Sequence, residues 1–84
     1  MGNTVKKEQI ERLLNESEVT ATTVFEKVTV VAVQLPNGFV VVEGSGAVDK
    51  ENYDFELGKQ ICLERIQNKL WELEGYVLQK ELNN

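Results

Sequence analysis

The sequence has no histidine, one cysteine and one proline, and no long run of apolar residues. Because histidine is the commonest general base of enzymes, its absence disfavours acid–base catalysis. The single cysteine, Cys62, leaves no partner for an intramolecular disulfide and is typical of a protein kept in a reducing compartment. Apolar runs of about 18 residues are missing, so we expect no membrane-spanning helix and no membrane partner.

Basic residues are also scarce: 9 lysines and arginines stand against 14 acidic residues, which gives a net charge of −5. This balance disfavours DNA binding, which needs a concentrated basic face. It does not exclude a small phosphate-bearing ligand, for which one or two local cations suffice. The 84 residues predict a single domain over residues 1–84 with a marginal core, and oligomerisation commonly compensates for such a core.

Hydrophobic periodicity divides the chain into two helices around a β-hairpin, so the predicted fold class is α+β. The Asn37-Gly38 pair between two β-rich runs is a strong hairpin signal. The first predicted segments are a short helix over about Lys6–Glu16, capped by Thr4, and a connection over Ser17–Thr23 that enters a strand over about Thr22–Leu35. A return strand follows over Phe39–Glu43 and loosens at Gly44–Gly46. The last segment is a long helix from about Tyr53 to Glu72 or Leu82, capped by Asn52.

Both faces of the predicted hairpin are apolar, whereas a half-buried strand alternates apolar and polar residues. One face carries Val28, Val30 and Ala32, and the other carries Val31, Val33 and Leu35. We therefore expect a second copy of the chain to cover one face; the alternative is a hairpin with one helix on each side. The long helix repeats the pattern, with Leu57, Ile61 and Trp71 opposite the core stripe, and Arg65 and Lys69 on the flank between them.

No catalytic, metal or cofactor motif stands out. Cys62 lies on the core stripe of the helix and is expected to be a small buried hydrophobe. The acidic residues around Asp49 lack the spacing of an EF-hand, and Gly44-Ser45-Gly46 is not followed by the Gly-Lys-Ser/Thr of a phosphate loop. The sequence predicts a protein that is not an enzyme and that needs neither metal nor cofactor.

The cationic pair Arg65 and Lys69 is the strongest binding signal. The two residues are one helical turn apart, so both side chains can hold one anion. The alternative is ordinary salt bridging, for example Lys69 with Glu72, or Arg65 with Glu64 of another chain. Aromatic residues such as Phe39, beside the hairpin turn, could stack on a nucleotide, although a core role is the commoner one.

Several motifs resemble a known family. They are Leu35-Pro36-Asn37-Gly38-Phe39, then Ser45 and Val48-Asp49, then Asn52-Tyr53-Asp54 with Leu57-Gly58, and Lys69-Leu70-Trp71-Glu72-Leu73-Glu74-Gly75-Tyr76. Their order and spacing, over roughly residues 6–82, resemble the small tailed-phage proteins labelled gene-49 or gene-66 products. The sequence is also similar to the type I anti-Thoeris proteins, a phage counter-defence group.

The resemblance to the anti-Thoeris group implies a non-catalytic protein in the host cytoplasm that sequesters a cyclic nucleotide signal. The signal would be a glycocyclic ADP-ribose, or also a cyclic trinucleotide, and the protein a homodimer or a hexamer of three dimers. Carried onto this chain, the ligand contacts are Phe39, Asp49, Asn52, Arg65 and Lys69. Two departures bear on the ligand: Glu43-Gly44-Ser45-Gly46-Ala47 replaces Gly-Glu-Ser-Ala-Cys, and Lys69 replaces an arginine. The alternative function is a protein-binding module that inhibits a host protein, or an accessory protein without a ligand.

Overall fold

The computed structural model describes residues 4–83 and has an α+β fold, as the sequence predicts. A short helix is followed by a three-stranded antiparallel sheet in the order β1-β2-β3 and by a long helix. The elements are α1 (Lys7–Asn15), β1 (Glu18–Val24), β2 (Val28–Gln34), β3 (Val40–Gly46), a 3-10 turn (Lys50–Asn52) and α2 (Phe55–Leu82).

The predicted hairpin is the β2–β3 pair, and its turn forms as expected. Leu35 and Phe39 flank the turn, and Gly38 adopts a φ of +94° that a residue with a Cβ rarely takes. The backbone N–H of Gly38 donates to the carbonyl of Leu35 at 2.8 Å, which closes the turn. The Asn-Gly signal therefore located this connection correctly.

The prediction of one long strand over Thr22–Leu35, entered by a connection over Ser17–Thr23, was wrong. A tight turn at Phe25 and Glu26 divides that stretch, and Glu18–Val24 forms an additional edge strand. Both turn residues have positive φ, 55° and 61°, although neither is glycine or asparagine. Their identities therefore gave no turn signal.

Three further boundaries differ from the prediction. Gly44–Gly46 continues β3 in register with β2 and does not loosen the strand. The side chain of Asp54, not Asn52, caps α2 by accepting from the backbone N–H of Leu57 at 3.1 Å. Helix α1 begins after Lys6 without a side-chain cap, so Thr4 does not have the predicted role.

The core lies between one face of the sheet and the helices. α2 packs against β2 and β3, and α1 packs against α2. The fully or nearly fully buried apolar residues are Ile10, Val31, Val33, Leu35, Val41, Cys62, Ile66 and Leu70. The opposite face carries Val30, Ala32, Val40 and Val42, of which Val40 and Val42 are about half exposed. Within residues 4–83 no helix covers that face, so the alternative of one helix on each side was wrong.

Candidate functional site

The cationic flank of α2 faces the edge strand β3. Arg65 lies opposite Gly44, and its Nη1 donates a hydrogen bond to the Gly44 carbonyl oxygen at 2.9 Å. An arginine has five N–H donors, so this bond fixes the guanidinium at the sheet edge and uses only one of them. The side chain stays exposed, which leaves it accessible to a ligand.

One turn later, Lys69 forms an ion pair with Glu43. Its Nζ lies 2.7 Å from the Glu43 Oε2, and the Lys69 side chain is 47% exposed against 18% for Glu43. Glu43 points to the face of β3 that α2 covers, where a carboxylate needs a cation to offset its desolvation. Sequence reasoning paired Lys69 with Glu72 or with a ligand and missed Glu43.

Phe39 shares a cleft with Lys69. The cleft, of about 230 Å³, lies between the start of β3 and α2, and Val40, Val41, Val42, Glu72 and Leu73 complete its lining. Phe39 is 54% exposed, and its backbone N–H donates to the side chain of Asn37 at 3.0 Å. An exposed aromatic ring beside a partly exposed ammonium can bind a planar group that carries negative charge.

Asp49 and Asn52 lie at the other end of β3. Strand β3 has seven residues, so its ends are roughly 20 Å apart. Asp49 accepts from the backbone N–H of Glu51 at 3.0 Å and shapes the 3-10 turn, and Asn52 lines a small cleft with Tyr53 and Gly58. Phe39 and Lys69 therefore share the cleft at the start of β3, and Arg65 lies further along the same seam between β3 and α2, at Gly44. Asp49 and Asn52 lie beyond the other end of β3.

Cys62 is buried beneath this seam. Its Sγ donates to the backbone carbonyl of Thr29 at 3.7 Å. Burial raises the pKa of the Cys62 thiol above its ordinary value; nearby Arg65 opposes the increase and Glu43 adds to it. A buried neutral thiol is a poor nucleophile, which agrees with the expectation that Cys62 serves packing.

Within residues 4–83, no cluster of three or more cysteine and acidic side chains is arranged to hold a metal ion. The same part of the chain contains no helix long and apolar enough to cross a bilayer.

Comparison with known proteins identifies the family but no individual relative. No curated protein and no solved structure matches the chain. The model of the phage protein (N4 Gp49/phage Sf6 gene 66) family matches residues 2–82. The match extends across both helices and all three strands, so it includes the seam between β3 and α2. The chain therefore belongs to this phage protein family.

Proposed function

We propose that this protein binds a cyclic nucleotide immune signal of the cyclic ADP-ribose class and sequesters it without cleaving it. The proposal rests on the seam between β3 and α2, where the Arg65 guanidinium and the Lys69 ammonium lie one helical turn apart and Lys69 shares a cleft with the exposed ring of Phe39. The similarity to type I anti-Thoeris proteins supplies the ligand class. Membership of a phage protein family is consistent with a protein that acts in the cytoplasm of an infected bacterium.

In this proposal Arg65 makes the principal phosphate contact. Its bond to the Gly44 carbonyl holds the guanidinium in place, so less side-chain entropy is lost when a ligand binds. The remaining N–H donors can engage a phosphate in a bidentate manner. The local cationic charge on this flank is small, because Glu43 already neutralises Lys69.

Lys69 has a secondary role in the proposal. A phosphate at the cleft competes with the Glu43 carboxylate for the Lys69 ammonium, because Lys69 lines the cleft and is paired with Glu43. Because this exchange substitutes one anion for another, it contributes less binding free energy than a contact to an unpaired cation. Phe39 would stack on a base or ribose face.

Asp49 and Asn52 complete the proposed set only through a second copy. Within one chain they lie at the far end of β3 from Phe39, so a homodimer or a hexamer must bring the Asp49 end of one copy to the Phe39 end of another. The absence of histidine and the burial of Cys62 favour binding without chemistry.

The test is recovery of the ligand. The protein is incubated with cyclic ADP-ribose made by a TIR-domain enzyme, separated from free ligand, and then denatured by heat. Recovery of unaltered ligand supports sequestration. Recovery of a hydrolysed product would indicate an enzyme, and an absence of uptake would reject the proposed ligand class.

A protein-binding module that inhibits a host protein is the second candidate function. The observation that favours it is the uncovered outer face of the sheet, where Val40 and Val42 are about half exposed next to Val30 and Ala32. Apolar patches of this kind commonly mark protein interfaces. Uptake of no nucleotide, together with a loss of inhibition on Val42→Glu, would favour this function over sequestration.

A further inference from the structure

The two edges of the sheet leave different backbone groups unpaired. Hydrogen bonds from Leu35 N–H to the Phe39 carbonyl and from Ala47 N–H to the Lys27 carbonyl place the odd-numbered residues of β2 and β3 in mutual hydrogen-bonded pairs. In an antiparallel ladder, the backbone N–H and C=O groups of the alternate residues then point away from the partner strand. The outward backbone groups belong to Val40, Val42, Gly44 and Gly46 on β3 and to Val19, Ala21 and Thr23 on β1.

The β3 edge is protected and the β1 edge is not. On β3, Arg65 occupies the outward carbonyl of Gly44, and two glycines weaken the strand as a template. On β1, five of the seven residues are valine or threonine, and the strand has no lysine, arginine or proline. Natural proteins normally prevent pairing at an exposed sheet edge by placing such residues there or by covering the edge. Of the three strands, β1 also has the largest proportion of exposed residues.

We propose that β1 pairs antiparallel with β1 of a second copy, with Ala21 opposite the partner's Ala21. This register joins the outward N–H and C=O groups of both strands in one six-stranded sheet. It also sets Val19 opposite the partner's Thr23. The sequence is self-complementary in this register, because threonines and valines face each other and the acidic Glu18 meets the partner's Val24. Because the chain has a net charge of −5, two copies repel each other, and this register adds no repulsion since it places no two acidic residues opposite each other.

The two α2 helices would not collide in this pairing. Helix α2 packs chiefly on β2 and β3, so about four strand spacings, or roughly 20 Å, would separate the two α2 axes. A groove of about 750 Å³ already runs between β1 and α2, with Leu14, Val19, Leu57 and Leu63 as its apolar lining. The partner's β1 would extend the floor of this groove. The pairing leaves the β3 edge and Arg65 of both copies accessible at opposite ends of the joined sheet. It does not itself bring the Asp49 end of one copy to the Phe39 end of the other, which would need a separate contact between dimers, and it does not depend on the proposed ligand.

Cysteine cross-linking tests the register directly. In a Cys62→Ala background, Ala21→Cys should give a covalent dimer on mild oxidation, because the Cα atoms of a hydrogen-bonded antiparallel pair are about 5.5 Å apart, within disulfide range. Val19→Cys and Thr23→Cys should each stay monomeric alone under denaturing conditions, but should cross-link when mixed. Val42→Cys on the β3 edge is the control and should not cross-link.

Ala21→Pro provides a second test that does not depend on oxidation. Its N–H points away from β2, so proline removes no bond within the chain but blocks the shared ladder. The wild-type protein should be a dimer in light scattering and the variant a folded monomer by circular dichroism. A monomeric wild-type protein would overturn the proposal, as would cross-linking through Val42→Cys instead of Ala21→Cys.

Discussion

Gly58 of α2 lies against Thr29 of β2, and Gly58→Ala should destabilise the protein although alanine is the better helix former. A Cβ at this position would overlap the Thr29 Oγ1 and lie 2.9 Å from the Thr29 Cβ. Thr29 cannot move aside easily, since it is fully buried and its hydroxyl lies 2.7 Å from the Tyr53 hydroxyl. Overpacking costs about 1–3 kcal/mol and disturbance of the buried hydrogen bond about 1 kcal/mol, whereas helix propensity returns about 1 kcal/mol.

The expected net loss is therefore about 2 kcal/mol, which corresponds to a decrease in Tm of roughly 8–16 °C for a domain of this size. Gly75→Ala is the matched control, because Gly75 lies inside the same helix and a Cβ added there would meet no atom within 4 Å. It should raise the stability by about 0.5–1 kcal/mol. Thermal unfolding of both variants measures this difference, and a Gly58→Ala variant as stable as Gly75→Ala would show that α2 does not lie this close to Thr29.

Three further predictions concern the residues at and beneath the seam. Glu43→Gln should tighten the binding of a cyclic ADP-ribose several-fold in calorimetry, because Lys69 loses the carboxylate that competes with phosphate; weaker binding would contradict the proposed role of Lys69. Since burial raises the pKa of Cys62 in the folded protein, the unfolded chain releases this proton first, and chemical denaturation should show stability falling as pH rises above about 9. Cys62→Ala should remove that fall. Tyr53→Phe should cost about 1–2 kcal/mol in the same assay, because it removes the hydroxyl bonded to Thr29; an unchanged midpoint would contradict this.

Local sequence signals located those elements whose ends carry recognisable residues. The Asn37-Gly38 pair marked the β2–β3 turn because glycine is favoured at the positive φ that this turn requires. The turn at Phe25 and Glu26 was missed because tertiary pairing holds two ordinary residues at positive φ. Without that turn, β1 was assigned in part to a connection.

The site was predictable in part for the same reason. Helical spacing alone placed Arg65 and Lys69 on one flank of α2. The pairing of Lys69 with Glu43 joins residues far apart in the sequence, so periodicity could not reveal it. One signal was present: Glu43 shares a face of β3 with the buried Val41, and a carboxylate on a covered face needs a cation nearby. The separation of Asp49 and Asn52 from Phe39 follows from the length of β3 and required the strand register.

Calorimetry of Arg65→Ala with a TIR-produced cyclic ADP-ribose tests whether Arg65 makes the principal phosphate contact. Arg12→Ala is the matched control, because it changes the net charge equally on α1, away from the seam. We predict that the wild-type protein and Arg12→Ala bind alike. Arg65→Ala should lose at least about tenfold in affinity, the effect of one charge-assisted phosphate contact, while its Tm changes little. Binding by Arg65→Ala as tight as that of the wild-type protein would show that Arg65 does not hold the ligand.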